Sequence, residues 1–156
     1  AENATVSAVG ALTGHSAVAN ITTVVLFGGY MQNSLTAGAY TYTIGAASPT
    51  LGLRAVTVQA QGPSKRAYPG LVKPDDTSII LYGGAVAREG LSDLWRLDLK
   101  TQNWQQLHDS TTEGVPPSVA HAAFKAWYLD EQTYMIVQGG INKGYKSGVT
   151  FNGGEG

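Results

Sequence analysis

Cysteine is absent from the 156 residues. Disulfides and thiolate metal centres are excluded with it. Charge is also scarce. Asp, Glu, Lys and Arg make up 13% of the chain, against about 25% in an ordinary soluble domain, too little for a solvated disordered polymer. The formal net charge of −1 provides no basic field for nucleic acid or an anionic membrane surface. No apolar run approaches the ~18 residues of a membrane span. No apolar leader opens the sequence, and no segment sustains the 3.6-residue period of an amphipathic helix.

Glycine, by contrast, is plentiful at twenty residues. The stretch Ser78–Trp104 shows how it is used. A short apolar run, Ile79-Ile80-Leu81-Tyr82, has strand composition and stops at Gly83-Gly84, where the backbone needs conformations that only glycine adopts freely. A polar loop leads to an alternating run, Leu94–Leu99. The turn Lys100–Asn103 then delivers Trp104 on a further strand. The pattern recurs. Double glycines stand at Gly28-Gly29, Gly83-Gly84 and Gly139-Gly140, spaced 83−28 = 55 and 139−83 = 56. An apolar run precedes each pair, and an aromatic follows eleven residues after each second glycine: Tyr40, Trp95 and Phe151. His15, Tyr68 and His121 line up upstream at intervals of 68−15 = 53 and 121−68 = 53. Self-similarity at a period near 50 residues predicts stacked supersecondary units.

The double glycine, the aromatic strand and the LDLKTQNW segment resemble the kelch repeat. The resemblance implies an all-β fold, a kelch-type β-propeller segment of three four-stranded blades. It covers nearly the whole chain as one domain, with repeat units of about 4–53, 54–102 and 103–156. Residues 4–10 match residues 56–62 at an offset of 52, so each unit is read as a fourth strand followed by strands one to three. The first unit lacks a tryptophan matching Trp104, and after Phe151 no fourth strand follows. Propellers close with about four to eight blades, so three blades are expected to be part of a larger ring or half of a six-bladed one. The partners then expected are the remaining blades, in a longer chain, in another chain or in a homodimer.

Candidate chemistry is thin. The acidic pairs Asp75-Asp76 and Asp130-Glu131 fall in the same turn of successive units and read as solvated turn acids rather than a cation site. His15 and His121, in equivalent places, read as structural. No Ser–His–Asp arrangement is apparent. Some kelch-like propellers carry a copper site with a tyrosine crosslinked to cysteine, which cannot form here. No enzymatic activity, cofactor or metal is expected.

The resemblance implies instead a protein-interaction scaffold binding through the strand 2–3 and 4–1 loops. Candidate contacts are Tyr30, Gln32 and Asn33 in the first unit, and Lys65, Arg66, Arg88 and Glu89 in the second. Asn142, Lys143, Tyr145 and Lys146 are the candidates in the third. The basic members among these suit an acidic peptide, with ordinary solvated loop charge as the competing reading. The resemblance also offers a structural use for an arginine near Arg66. The alternative function is carbohydrate binding, or a non-catalytic propeller part of a secreted or cell-surface protein or enzyme. Two glycosylation sequons, at Asn3 and Asn20, lean toward a secretory route, with the cytoplasm as the alternative. Neither nucleic acid nor membrane insertion is expected.

Overall fold

A computed structural model describes residues 12–19, 22–44, 53–56, 61–87, 89–109, 117–129 and 132–142. The first blade and its loops contain β1 (Leu12–Thr13), β2 (Ser16–Ala19), β3 (Thr23–Phe27), β4 (Tyr30–Met31), β5 (Ser34–Leu35), β6 (Ala39–Thr43) and β7 (Leu53–Val56). The second blade and its loops contain β8 (Gly70–Val72), β9 (Ser78–Tyr82), β10 (Ala85–Val86), β11 (Glu89–Gly90), β12 (Leu94–Asp98) and β13 (Trp104–His108). The third contains β14 (Val119–Ala120), β15 (Ala123–Leu129), β16 (Gln132–Gln138) and β17 (Ile141–Asn142). No helix occurs among the described residues.

Two antiparallel four-stranded sheets dominate, in the orders β2-β3-β6-β7 and β8-β9-β12-β13. The hairpin β15–β16 begins a third sheet. The segment expected to add its next strand, with Phe151, lies outside the described residues. Each sheet is a simple meander because short turns join its neighbours. In the second sheet Asp75 organises the first turn, accepting hydrogen bonds from the Thr77 amide (2.7 Å), the Thr77 hydroxyl (2.8 Å) and the Ser78 hydroxyl (2.8 Å). Asp98 accepts the Lys100 and Thr101 amides at 2.9 and 2.7 Å in the last turn, where Gln102 takes a positive φ of 58°. Asp and Asn are favoured in such turns because their side chains satisfy the backbone locally.

The first strands of successive sheets pack on one another, β2 on β8 and β8 on β15. The Ser16 hydroxyl also donates to the Pro69 carbonyl across the first of these contacts. The sheets thus radiate like blades from a shared inner edge. The main core lies between the first two blades. Val25, Phe27 and Ala39 of the first meet Leu71, Ile79, Leu81, Leu97 and Trp104 of the second. Phe27 and Trp104 pack edge to face with centroids 5.5 Å apart. The alternation of side chains along a strand puts one set on each blade face, so the second blade can serve both of the joints seen here. Between the second and third blades, Tyr82 meets Phe124 edge to face at 6.4 Å.

Candidate functional site: the loop side of the blades

In a meander the strand 1–2 and 3–4 turns fall at one end, and the strand 2–3 and 4–1 loops at the other. That second end is built on the double glycines. Gly28, Gly29, Gly83, Gly84, Gly139 and Gly140 all have positive φ, between 63° and 97°. Conformational freedom is only half of their role. A Cβ on Gly28 would lie 2.5 Å from the Arg66 carbonyl oxygen, and one on Gly83 would lie 2.4 Å from that of Val119. The next glycine donates its amide to the same carbonyl, Gly29 to Arg66 and Gly84 to Val119, both at 2.8 Å. The motif is therefore a joint. It lets the chain of the next blade come into van der Waals contact and tethers it there.

Small secondary sheets stand above these joints. β4 and β5 form a hairpin whose two-residue tip, Gln32-Asn33, has φ values of 48° and 65°. Both central residues of such a tip must be left-handed for its twist to match the strands. β1 adds to the same sheet. β10 pairs with β11, and Ala67 bridges to Ala85. β14 pairs with β17 in the third unit. The first two of these loops are thus held by backbone hydrogen bonds, and Gln32, Asn33 and Ala87 are exposed at their tips.

Gln32, Asn33, Lys65 and Glu89 are exposed on this side, and Tyr30 is half-buried. Asn142 contributes its backbone to β17. Arg88, Lys143, Tyr145 and Lys146 lie outside the described residues, as do the sequon residues Asn3 and Asn20. Among the aromatics read as packing residues, Tyr40 and Trp95 are half-buried on sheet faces, and Trp104 is buried.

Arg66 must be withdrawn as a partner contact, because its side chain is fully buried. The guanidinium donates to the Ser64 carbonyl (3.0 Å) and hydroxyl (3.1 Å), to the Gly83 carbonyl (3.0 Å) and to both Asp93 carboxylate oxygens (2.5 and 2.7 Å). Those five bonds use all five of its N–H groups. Asp93 also accepts the Trp95 indole N–H at 2.6 Å. Burial opposes ionisation of Asp93, but the hydrogen bonds and charge of Arg66, with the Trp95 bond, outweigh it and hold the carboxyl below its usual range. The result is a clamp between the 4–1 and 2–3 loops.

Asp93 escapes a repeat-based reading, because backbone pairing matches it to Gly38 in the first unit. The signal available in the sequence was the break in the repeat itself. A charge pair occupies places where the sister units carry Leu12 and Val119 opposite Arg66, and Gly38 opposite Asp93.

The histidine alignment also needs correction. The left-handed residues at the entrances to the first strands are Gly14, Tyr68 and His121, with φ of 71°, 54° and 59°. His15 is one place out of register, and the Tyr68 ring sits over Gly14 instead. Tyr68 and His121 stack with centroids 3.6 Å apart, and partial burial lowers the His121 pKa. Among the described residues no group of three or more His, Asp or Glu side chains is placed to hold a metal ion. Among them, too, no helix is long and apolar enough to cross a membrane.

Radiating four-stranded meanders joined at double glycines define a β-propeller. The model of the KLHDC2/KLHL20/DRC7 Kelch-repeats domain family matches residues 3–152, and the chain belongs to that family. Among solved structures, that of YjhT is similar in fold, with a TM-score of 0.59 at 16% identity over 85% of this chain. The chain spans 35% of the length of that structure. No curated protein matches.

Proposed function

We propose that this kelch segment is a non-catalytic scaffold that binds a protein partner on its loop side. The observation that carries this reading is the construction of that side. Backbone-paired loops stand on rigid blades and expose Gln32, Asn33, Lys65 and Glu89, while the strongest charge pair nearby, Arg66–Asp93, is consumed internally. A pre-ordered surface with outward polar side chains loses little conformational entropy on binding. Arg88, Asn142, Lys143, Tyr145 and Lys146 belong to the same proposed surface.

The test is affinity capture with chemical crosslinking, using the full chain and two variants. One carries Asn33→Ala, Lys65→Glu and Glu89→Arg. The other carries Lys100→Glu in the turn at the opposite end. Polypeptides captured by the wild type and by Lys100→Glu, but lost from the triple variant, are the expected result. Retention of the same polypeptides by the triple variant rejects the loop side as the site.

A further inference from the structure

Ser64, in the 4–1 loop of the second unit, stands at the surface over a fully buried charge. Its hydroxyl oxygen accepts a hydrogen bond from Arg66 Nη2 at 3.1 Å, and its carbonyl accepts one from Arg66 Nε at 3.0 Å. The same Nη2 donates to Asp93 at 2.7 Å. One guanidinium nitrogen is thus shared between the hydroxyl of an exposed residue and a carboxylate whose side chain is only 14% exposed. The Ser64 hydroxyl proton has no acceptor among the described residues.

Three residues here leave the repeat together. Arg66 stands where the sister units carry Leu12 and Val119, and two places earlier Ser64 stands where they carry Gly10 and Pro117. Asp93 stands opposite Gly38. The joint between blades needs none of these side chains, because at Val119 it is made by the same backbone bonds without them. A buried ion pair is also a weak source of stability, since desolvation offsets much of the attraction. The second unit has therefore added a balanced charge pair with a hydroxyl as its outward member.

We propose that Ser64 is a phosphorylation site, and that a phosphate there competes with Asp93 for Arg66 and loosens the clamp between the 4–1 and 2–3 loops. A protein kinase transfers the γ-phosphoryl group of ATP. An Oγ–P bond forms, the bond from the γ-phosphorus to the β–γ bridging oxygen breaks, ADP leaves, and the hydroxyl proton passes to the base of the kinase.

Before the transfer Arg66 and Asp93 neutralise each other. Phosphoserine adds a charge of about −1.5 to −2 and three strong acceptor oxygens, on the atom that already touches Nη2. Two anions then face one cation. The phosphate keeps its water and gains Arg66 cheaply, whereas Asp93 is left with part of its cation in a largely buried place. Asp93 also holds the Trp95 indole N–H at 2.6 Å, and the Gly83 carbonyl accepts Arg66 Nη1 at 3.0 Å, so the disturbance reaches the base of the 2–3 loop. As a control on partner binding this switch rests on the loop side being the binding surface; its own test uses no partner.

The full chain is incubated with ATP and a panel of serine/threonine kinases, and phosphate is mapped by mass spectrometry, with Ser64→Ala as the control. Phosphate on Ser64 of the folded chain is the expected result. Phosphate on other hydroxyls only, or on none, overturns the assignment. Urea unfolding of the Ser64-phosphorylated chain then tests the competition. Its midpoint should fall by about 1 M in the wild type. In Asp93→Asn it should rise instead, because there the phosphate takes the place of the missing carboxylate. The Trp95 indole N–H resonance should move when the wild type is phosphorylated, since its acceptor is Asp93. A midpoint that moves the same way in both backgrounds, or in neither, overturns the competition for Arg66.

Discussion

The claim that the double glycine is a joint between blades, and not merely a flexible strand end, can be tested within the molecule. Gly83 and Gly139 are equivalent (139−83 = 56) and have nearly the same φ, +63° and +70°. They differ in surroundings. A Cβ on Gly83 would lie 2.4 Å from the Val119 carbonyl oxygen and 3.1 Å from that of Leu91, whereas a Cβ on Gly139 would meet none of the described residues within 4 Å. Alanine at Gly139 should therefore cost only the left-handed backbone strain, about 1–2 kcal/mol. Alanine at Gly83 adds displacement of the third-blade segment. That movement strains two bonds, Gly84 N–H to the Val119 carbonyl (2.8 Å) and Val119 N–H to the Leu91 carbonyl (3.2 Å). Each such bond is worth about 0.5–1.5 kcal/mol, so the total loss is about 2–5 kcal/mol. Against a domain stability of about 5–15 kcal/mol this is severe. Urea unfolding followed by tryptophan fluorescence is the assay. The Gly83→Ala midpoint should lie about 1 M below that of Gly139→Ala, given slopes of about 1–3 kcal/mol per molar urea. Equal midpoints would mean that the glycines are there for φ alone and that the blades do not depend on this contact.

Two further expectations concern buried ionisable groups. Arg66→Met leaves Asp93 without its cation and should cost about 3–5 kcal/mol, with Arg66→Met/Asp93→Asn recovering part of it. Because the folded pKa of Asp93 lies below its unfolded value of about 3.9, its contribution is present above that pH and lost as pH falls through the folded pKa. Wild type should therefore lose stability in acid in a way that Arg66→Met does not, as read from urea midpoints between about pH 5 and pH 2. Burial, with the negative charge of Asp93, raises the Tyr82 pKa to about 12. The unfolded phenol ionises near 10, so stability should fall from about pH 10 upward, and Tyr82→Phe should flatten that decline.

What could be read from the chain alone was whatever is local and repeated. Strand-forming runs, turn acids such as Asp75, and glycines at strand ends all depend on a few neighbouring residues, and three copies made the pattern visible. Tertiary structure alone decided the matters that depend on residues distant in sequence. Arg66 and Asp93 lie 27 positions apart in different loops, and only their meeting turns an apparent surface cation into a buried clamp. The placing of His15 against Gly14 turned on a single residue of register, which spacing could not settle and backbone conformation did. The role of Gly83 depended on a carbonyl 36 residues further along the chain, on another blade. A sequence records what each residue prefers for itself; which blade comes to lie against it is decided when the sheets pack.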